Sequence, residues 1–212
     1  MSRASLVLAS TSEARRRLME RLEMPFDVQP PQVDEHALHG RTPDETALLR
    51  AFAKAEDVRA RVGKDAWVIG SDQLVDLDGD VLGKPGSPER ARAQLARLAG
   101  RTHRLVTALV VLGPGVRESR VVVTRLTMRA LTEAEIADYV AADRPEACAG
   151  SYKFESLGRA LFTAISAGDE TAIEGLPLGV LSSMLRPLRD AWGRDGSGGT
   201  RGRRPPEAAP AP

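Results

Sequence analysis

The sequence predicts an α/β fold: a mixed, twisted sheet flanked by helices, with a central cleft. Three observations carry this. Short β-branched runs alternate with amphipathic segments that open on capping signals, as in layered α/β proteins. Two long strand candidates, 101–112 and 117–129, flank Gly113-Pro114-Gly115, which is a turn, so the sheet is not purely parallel. With 212 residues, 42% of them hydrophobic, the chain can bury a sizeable core.

Residues 5–10, Ser-Leu-Val-Leu-Ala-Ser, read as a buried first strand. Ser12 is an N-cap for the following helix, whose Leu18, Met19 and Leu22 share one face. Arg15, Arg16 and Arg17 crowd its first turns, where the helix dipole disfavours cations. Either they form a solvated basic face, or an anion sits at the strand–helix junction, where backbone N–H groups point. An extended piece, 25–31, is broken by Pro30-Pro31, and Val33-Asp34-Glu35 follows in a polar loop. Its acid pair is either solvated or able to hold Mg²⁺ beside substrate phosphates. His36 and His39 lack a third zinc ligand at a standard spacing. Thr42-Pro43-Asp44-Glu45 combines an N-cap, Pro at N1 and a capping-box Glu, opening a helix to about Arg61. Lys54 lies among its apolar residues, either snorkelling or reaching into a cleft.

The stretch 68–85 organises the chain. Trp67-Val68-Ile69 predicts a short buried strand that ends at Gly70 and delivers Asp72 at a rigid edge. Asp78-Gly79 then predicts a tight hairpin turn that returns Gly83-Lys84-Pro85 toward Asp72. One acid and one ammonium facing a single cleft suit a metal-bound polyphosphate. Ser87-Pro88-Glu89 opens a further helix, ended by Gly100, and Thr132 with Glu135 forms a second capping box. A small-residue loop at 149–153, a strand at 158–166 and a last helix after Gly175-Leu176-Pro177-Leu178 complete the folded unit, 1–188. Residues 189–212, rich in Gly, Pro, Ala and Arg without periodicity, read as a disordered tail.

Several function classes lose support. The net charge is +1, and the five Arg from Arg189 onward face three acids, so electrostatic capture of nucleic acid or membrane is not expected. Cys148 is the only cysteine, which excludes an intrachain disulfide and a thiolate metal cage. With no long apolar run and no signal-peptide pattern, the expected location is cytoplasmic. P-loop and dinucleotide glycine motifs are absent. Asp76-Leu77-Asp78 resembles the nucleophile motif of haloacid-dehalogenase-type phosphatases. However, Asp80 stands where that motif continues with Thr, and no long apolar strand precedes it. The hairpin accounts for Asp78-Gly79 without chemistry.

Taken in order, Leu8-Ala9-Ser10-Thr11-Ser12 with the arginines after it, Val33-Asp34-Glu35, Lys54, Gly70-Ser71-Asp72-Gln73, Gly83-Lys84-Pro85, 149–153 (Ala-Gly-Ser-Tyr-Lys) and Gly175-Leu176-Pro177-Leu178 resemble the Maf family of nucleoside triphosphate pyrophosphatases, from about Leu6 to Leu188. The resemblance implies a fold of the inosine-triphosphatase type, a homodimer, and hydrolysis between the α and β phosphates with Mg²⁺ or Mn²⁺. Ser71-Asp72-Gln73, together with Cys148 to Lys153 and Glu155, resembles the subgroup acting on 7-methyl-GTP rather than on dTTP and UTP. Glu13 stands where the family usually has Pro, a residue acceptable in a first helical turn.

The resemblance implies these roles. Asp72 is the general base, and Glu35 and Asp72 hold the metal. Lys54, Lys84 and Arg15 clamp the phosphates, with Arg16 a weaker candidate, and Ser10 and the backbone at Ala14 complete the cradle. Gln73 and Glu155 read the base. The competing expectation is a non-catalytic nucleotide-binding regulator of cell division. The co-occurrence of Asp72, Lys54, Lys84 and Glu35 argues against it.

Overall fold

In a computed structural model, which describes residues 4–196 apart from the side chains of His36 and 194–196, one mixed sheet forms the centre. Its strands are β1 (Leu6–Ala9), β2 (Asp27–Gln29), β3 (Trp67–Leu77), β4 (Asp80–Leu82), β5 (Thr102–Gly113), β6 (Val116–Met128) and β7 (Phe162–Ser166). They run in the order β2-β1-β3-β5-β6-β7, with β4 on β3. β1 is parallel to β2 and β3, and the other pairs are antiparallel. The mixed α/β sheet is the one expected from sequence.

The central strand differs from its expected form. β3 does not stop at Gly70 but runs on through Ser71-Asp72-Gln73 to Leu77. β5 decides this, pairing with every residue from Val68 to Asp76. Gly70 is needed for packing, because a Cβ there would lie 2.3 Å from the Ala51 carbonyl oxygen. Asp78 and Gly79 both have positive φ, 55° and 96°, as a primed two-residue turn requires. The decoy acids are structural. Asp76 accepts from Gly79 N at 2.7 Å and pairs with Arg104 at 2.8 Å, while Asp78 pairs with Arg101.

The helices are α1 (Glu13–Glu20), α2 (Pro43–Val62), α3 (Pro88–Leu98), α4 (Glu133–Asp143), α5 (Leu178–Met184) and α6 (Arg186–Gly196). Ser12, Thr42, Ser87 and Thr132 cap four of them, each accepting from the N–H three residues on. Such a cap contributes about 1 kcal/mol. At α4 the capping box is complete, and the Thr132 N–H, with Arg129, holds the Glu135 carboxyl down to about 2. At α2 the expected box is displaced, since Glu45 accepts from the Arg41 N–H.

Strand alternation sends side chains to two faces. On one face Val68, Leu74, Val106, Ala108 and Val110 pack against Ala47, Ala51, Ala55 and Val58 of α2. On the other, Ile69, Leu109 and Val111 join α1 and α5, while Val75, Leu77 and Leu105 join α3 and α4. Ser71, Gln73 and Thr107 interrupt that second face and are covered by the segment around Ala172 and Gly175.

Two expectations are corrected. Residues 157–161 form a 3₁₀ turn, and only Phe162–Ser166 is strand, because Gly158 folds onto the Lys153 carbonyl at 3.0 Å. The chain beyond Leu188 remains helical to Gly196: Trp192 Nε1 donates to the Ala4 carbonyl at 3.1 Å, and Arg189 Nη1 donates to Ser182 Oγ at 2.8 Å. Residues 197–212 of the expected tail lie outside the described residues. Among the described residues no helix is long and apolar enough to cross a membrane.

Candidate active site

Alternation turns Asp72 toward α2, where Lys54 sits one helical turn after the Gly70 contact at Ala51. The Lys54 ammonium donates to Asp72 Oδ1 at 2.6 Å and also pairs with Glu35 from the loop before α2. Lys54 and Asp72 side chains are only 10% and 8% exposed. A buried charge survives when it is paired, and here one cation stands between two carboxylates. Asp72 Oδ2 is buried and makes no hydrogen bond.

Among the described residues no group of three or more His, Cys, Asp and Glu could hold a metal ion. Asp72 and Glu35 instead form a two-carboxylate site with one orphan oxygen. That donor set fits a hard divalent cation completed by phosphate oxygens and water.

The start of α1 faces the same charges. Ser10, buried, accepts from Ser12 N at 3.1 Å, and Ser12 accepts from Arg15 N at 3.3 Å. Ala14 and Arg15 are half-buried. Burial pulls the Arg15 guanidinium below its ordinary pKa, and the Asp72 and Glu35 carboxylates oppose that shift. Arg15 Nε donates to the Gly175 carbonyl at 2.9 Å. Arg16 points outward and pairs with Glu20 across 3.5 Å of exposed helix surface. Glu13 is exposed at the first helical position.

Lys84 and Glu155 both act on Cys148. Burial raises the Cys148 thiol pKa, Glu155 and Asp143 raise it further, and Lys153 and Lys84 oppose them. Both Lys84 and Glu155 are exposed. Gly86 N bonds the Glu146 carbonyl at 3.0 Å, tying the end of the hairpin to this segment. The loop 149–153 is held from inside. Ser151 Oγ donates to Gln94 at 2.6 Å, Tyr152 shares a 3.0 Å hydrogen bond with His103 Nε2, and Lys153 Nζ donates to the Asp143 carbonyl at 2.5 Å.

Asp72, Lys54, Glu35 and Arg15 thus converge on one charged centre, Ser10 lies before the helix that carries Arg15, Lys84 and Glu155 act on Cys148, and Arg16 pairs outward with Glu20. Gln73 lies on the opposite face of β3 from Asp72, its amide nitrogen donating to Thr107 Oγ1 at 2.9 Å and to the Ala172 carbonyl at 2.7 Å. Ser71 entered the sequence reading only within the Ser71-Asp72-Gln73 motif, with no role of its own, and Thr107 was not singled out. A polar residue inside an otherwise apolar strand is the signal that could have marked Thr107.

A family model described as "Maf-like protein" matches residues 5–188. A 7-methyl-GTP pyrophosphatase of Xanthomonas campestris pv. campestris (strain 8004) is 50% identical over 182 residues, 85% of this chain and 94% of that protein. A 7-methyl-GTP pyrophosphatase of Burkholderia thailandensis is 47% identical over 194 residues, 88% of this chain and 90% of that protein. Among solved structures, protein VC0702 from Vibrio cholerae matches 91% of this chain and 99% of its own at 11% identity, with a TM-score of 0.43. The family match spans the sheet and the charged centre, and the two relatives are covered almost end to end: the chain belongs to the Maf-like protein family.

Proposed function

We propose that the chain is a nucleoside triphosphate pyrophosphatase that hydrolyses 7-methyl-GTP to the monophosphate and pyrophosphate. The observation that carries this is the shared Lys54 ammonium between Asp72 and Glu35, with a buried, unpartnered Asp72 oxygen beside the cationic start of α1. The names of the relatives support the substrate.

In this reading Asp72 Oδ2 takes a proton from the attacking water, the water oxygen bonds to the α-phosphorus, and the bond to the bridging oxygen breaks, releasing pyrophosphate. Arg15 and Lys54 orient the phosphates and neutralise charge as that bond breaks. Asp72 and Glu35 would hold a divalent cation, Mg²⁺ or Mn²⁺, which supplies Lewis-acid stabilisation of phosphate oxygens. Lys84 serves the phosphate chain from the hairpin end, and Glu155 faces the base. A methylated guanine ring is cationic, so a nearby carboxylate favours it over plain guanine.

The test is pyrophosphate release from 7-methyl-GTP, GTP, dTTP, UTP, CTP and ITP. A preference for 7-methyl-GTP that narrows toward GTP in Glu155→Gln supports the reading. A preference for dTTP or UTP overturns the substrate.

A further inference from the structure

Thr46, Arg50 and Lys54 follow one another at i, i+4 spacing and form a single row on the buried side of α2. Each meets the preceding loop in turn. Thr46 Oγ1 accepts from Gly40 N at 2.9 Å, Arg50 Nε donates to the Leu38 carbonyl at 3.1 Å, and Lys54 pairs with Glu35. The two cations of the row are neutralised differently. Lys54 has two carboxylates. Arg50 is only 8% exposed, yet among the described residues it makes no ion pair and no other side-chain hydrogen bond. A guanidinium carries five N–H donors, and a buried charge without a counter-charge is costly. One neutral carbonyl does not offset that cost, so the position calls for an anion.

β1 ends opposite Gly70 and β4 begins opposite Val75, so residues 71–74 of β3 have a strand neighbour on the β5 edge only. α2 runs antiparallel to β3 along this stretch: Gly70 meets Ala51 and Ala55, while Asp44 shares Arg104 with Asp76. The step from Lys54 to Arg50 therefore leads away from the start of α1 and toward β4, just beyond which Lys84 follows. We propose that the terminal nitrogens of Arg50 bind phosphate oxygens of the pyrophosphate that leaves, while Nε stays on the Leu38 carbonyl. A guanidinium fork matches phosphate geometry, and it extends the cationic row of α2 by one helical turn past Lys54. This inference rests on the proposed function for its substrate, and its test separates the two.

The first arm measures binding of inorganic pyrophosphate with Mg²⁺, which needs no nucleotide, by calorimetry. Arg50→Gln can keep a donor for the Leu38 carbonyl but loses the charge, and should weaken binding about tenfold or more. Thr46→Val removes the neighbouring rung without touching a charge and should leave binding within about twofold. Equal binding by wild type and Arg50→Gln, an equal loss in Thr46→Val, or no binding by wild type overturns the proposal. The second arm compares kcat/KM for 7-methyl-GTP and GTP. Arg50→Gln should lower both in the same proportion, because its contact lies on the phosphates. No loss, or a loss confined to 7-methyl-GTP, overturns it. Wild type that releases no pyrophosphate from any nucleotide would refute the proposed function, and the pyrophosphate arm would still decide the subsite. Melting temperatures of all variants separate loss of the subsite from loss of fold. Where Arg50→Gln does not fold, Arg50→Lys carries the test: one ammonium cannot hold Leu38 and a phosphate as the fork does, so it should bind pyrophosphate more weakly than wild type, and equal binding overturns the proposal.

Discussion

Lys54 Nζ stands 2.6 Å from Asp72 Oδ1 in a site from which water is largely excluded, and Glu35 closes on the same ammonium. Lys54 is thus the close-range cation that the two carboxylates share. Lys54→Met removes that shared partner, and removing one partner of a buried pair costs about 3–5 kcal/mol. Urea unfolding at pH 7.5 should show the loss, and activity should fall with it. A stability change below 1 kcal/mol would mean the pair is better hydrated than its burial indicates.

Gly70→Ala places a methyl 2.3 Å from the Ala51 carbonyl oxygen and 2.8 Å from the Ala55 Cβ. The helix must move off the sheet, at a cost of about 1–3 kcal/mol. Because α2 carries Lys54, kcat should drop as well, read by steady-state kinetics beside thermal unfolding.

His103 is 2% exposed, and burial drives its pKa down to about 4. The unfolded chain then holds the proton more tightly between about pH 6.5 and 4, so this contribution is complete above pH 6.5 and is lost as pH falls toward 4. The amount is about 3 kcal/mol. His103→Gln keeps a hydrogen-bonding group near the Tyr152 hydroxyl but cannot titrate. Its stability curve should be flatter across that window, as followed by denaturant midpoints at successive pH values.

Arg15 and Arg16 are neighbours in sequence with opposite surroundings. Arg15→Ala should lower kcat/KM by about a hundredfold, as expected for a charge-assisted phosphate contact. Arg16→Ala removes only an exposed i,i+4 pair and should change it less than about threefold.

Much of this was legible in the chain. The caps at Ser12, Thr42, Ser87 and Thr132 and the Asp78-Gly79 turn are local chemistry, so their neighbours suffice to identify them. Asp72 could be picked out at the end of an apolar run, whereas Lys54 by itself reads as a snorkelling lysine and was marked by the family resemblance. The continuity of β3 could not, since Gly70-Ser71-Asp72-Gln73 looks like a loop until β5 supplies its partners. The hydrogen bonds of Gln73 could not be read either, since two of its acceptors are carbonyls about a hundred residues away, which no spacing reveals. The α6 helix was hidden by glycine-rich composition and is anchored by Trp192 on the Ala4 carbonyl.

The most direct measurement is pyrophosphate release from 7-methyl-GTP with Mg²⁺ by wild type and Asp72→Asn side by side, with circular dichroism on both. Asparagine can keep an oxygen for Lys54 but cannot take a proton. The account predicts an intact fold and a kcat lowered by about 10²–10⁴. An Asp72→Asn enzyme that turns over 7-methyl-GTP at the wild-type rate would contradict it.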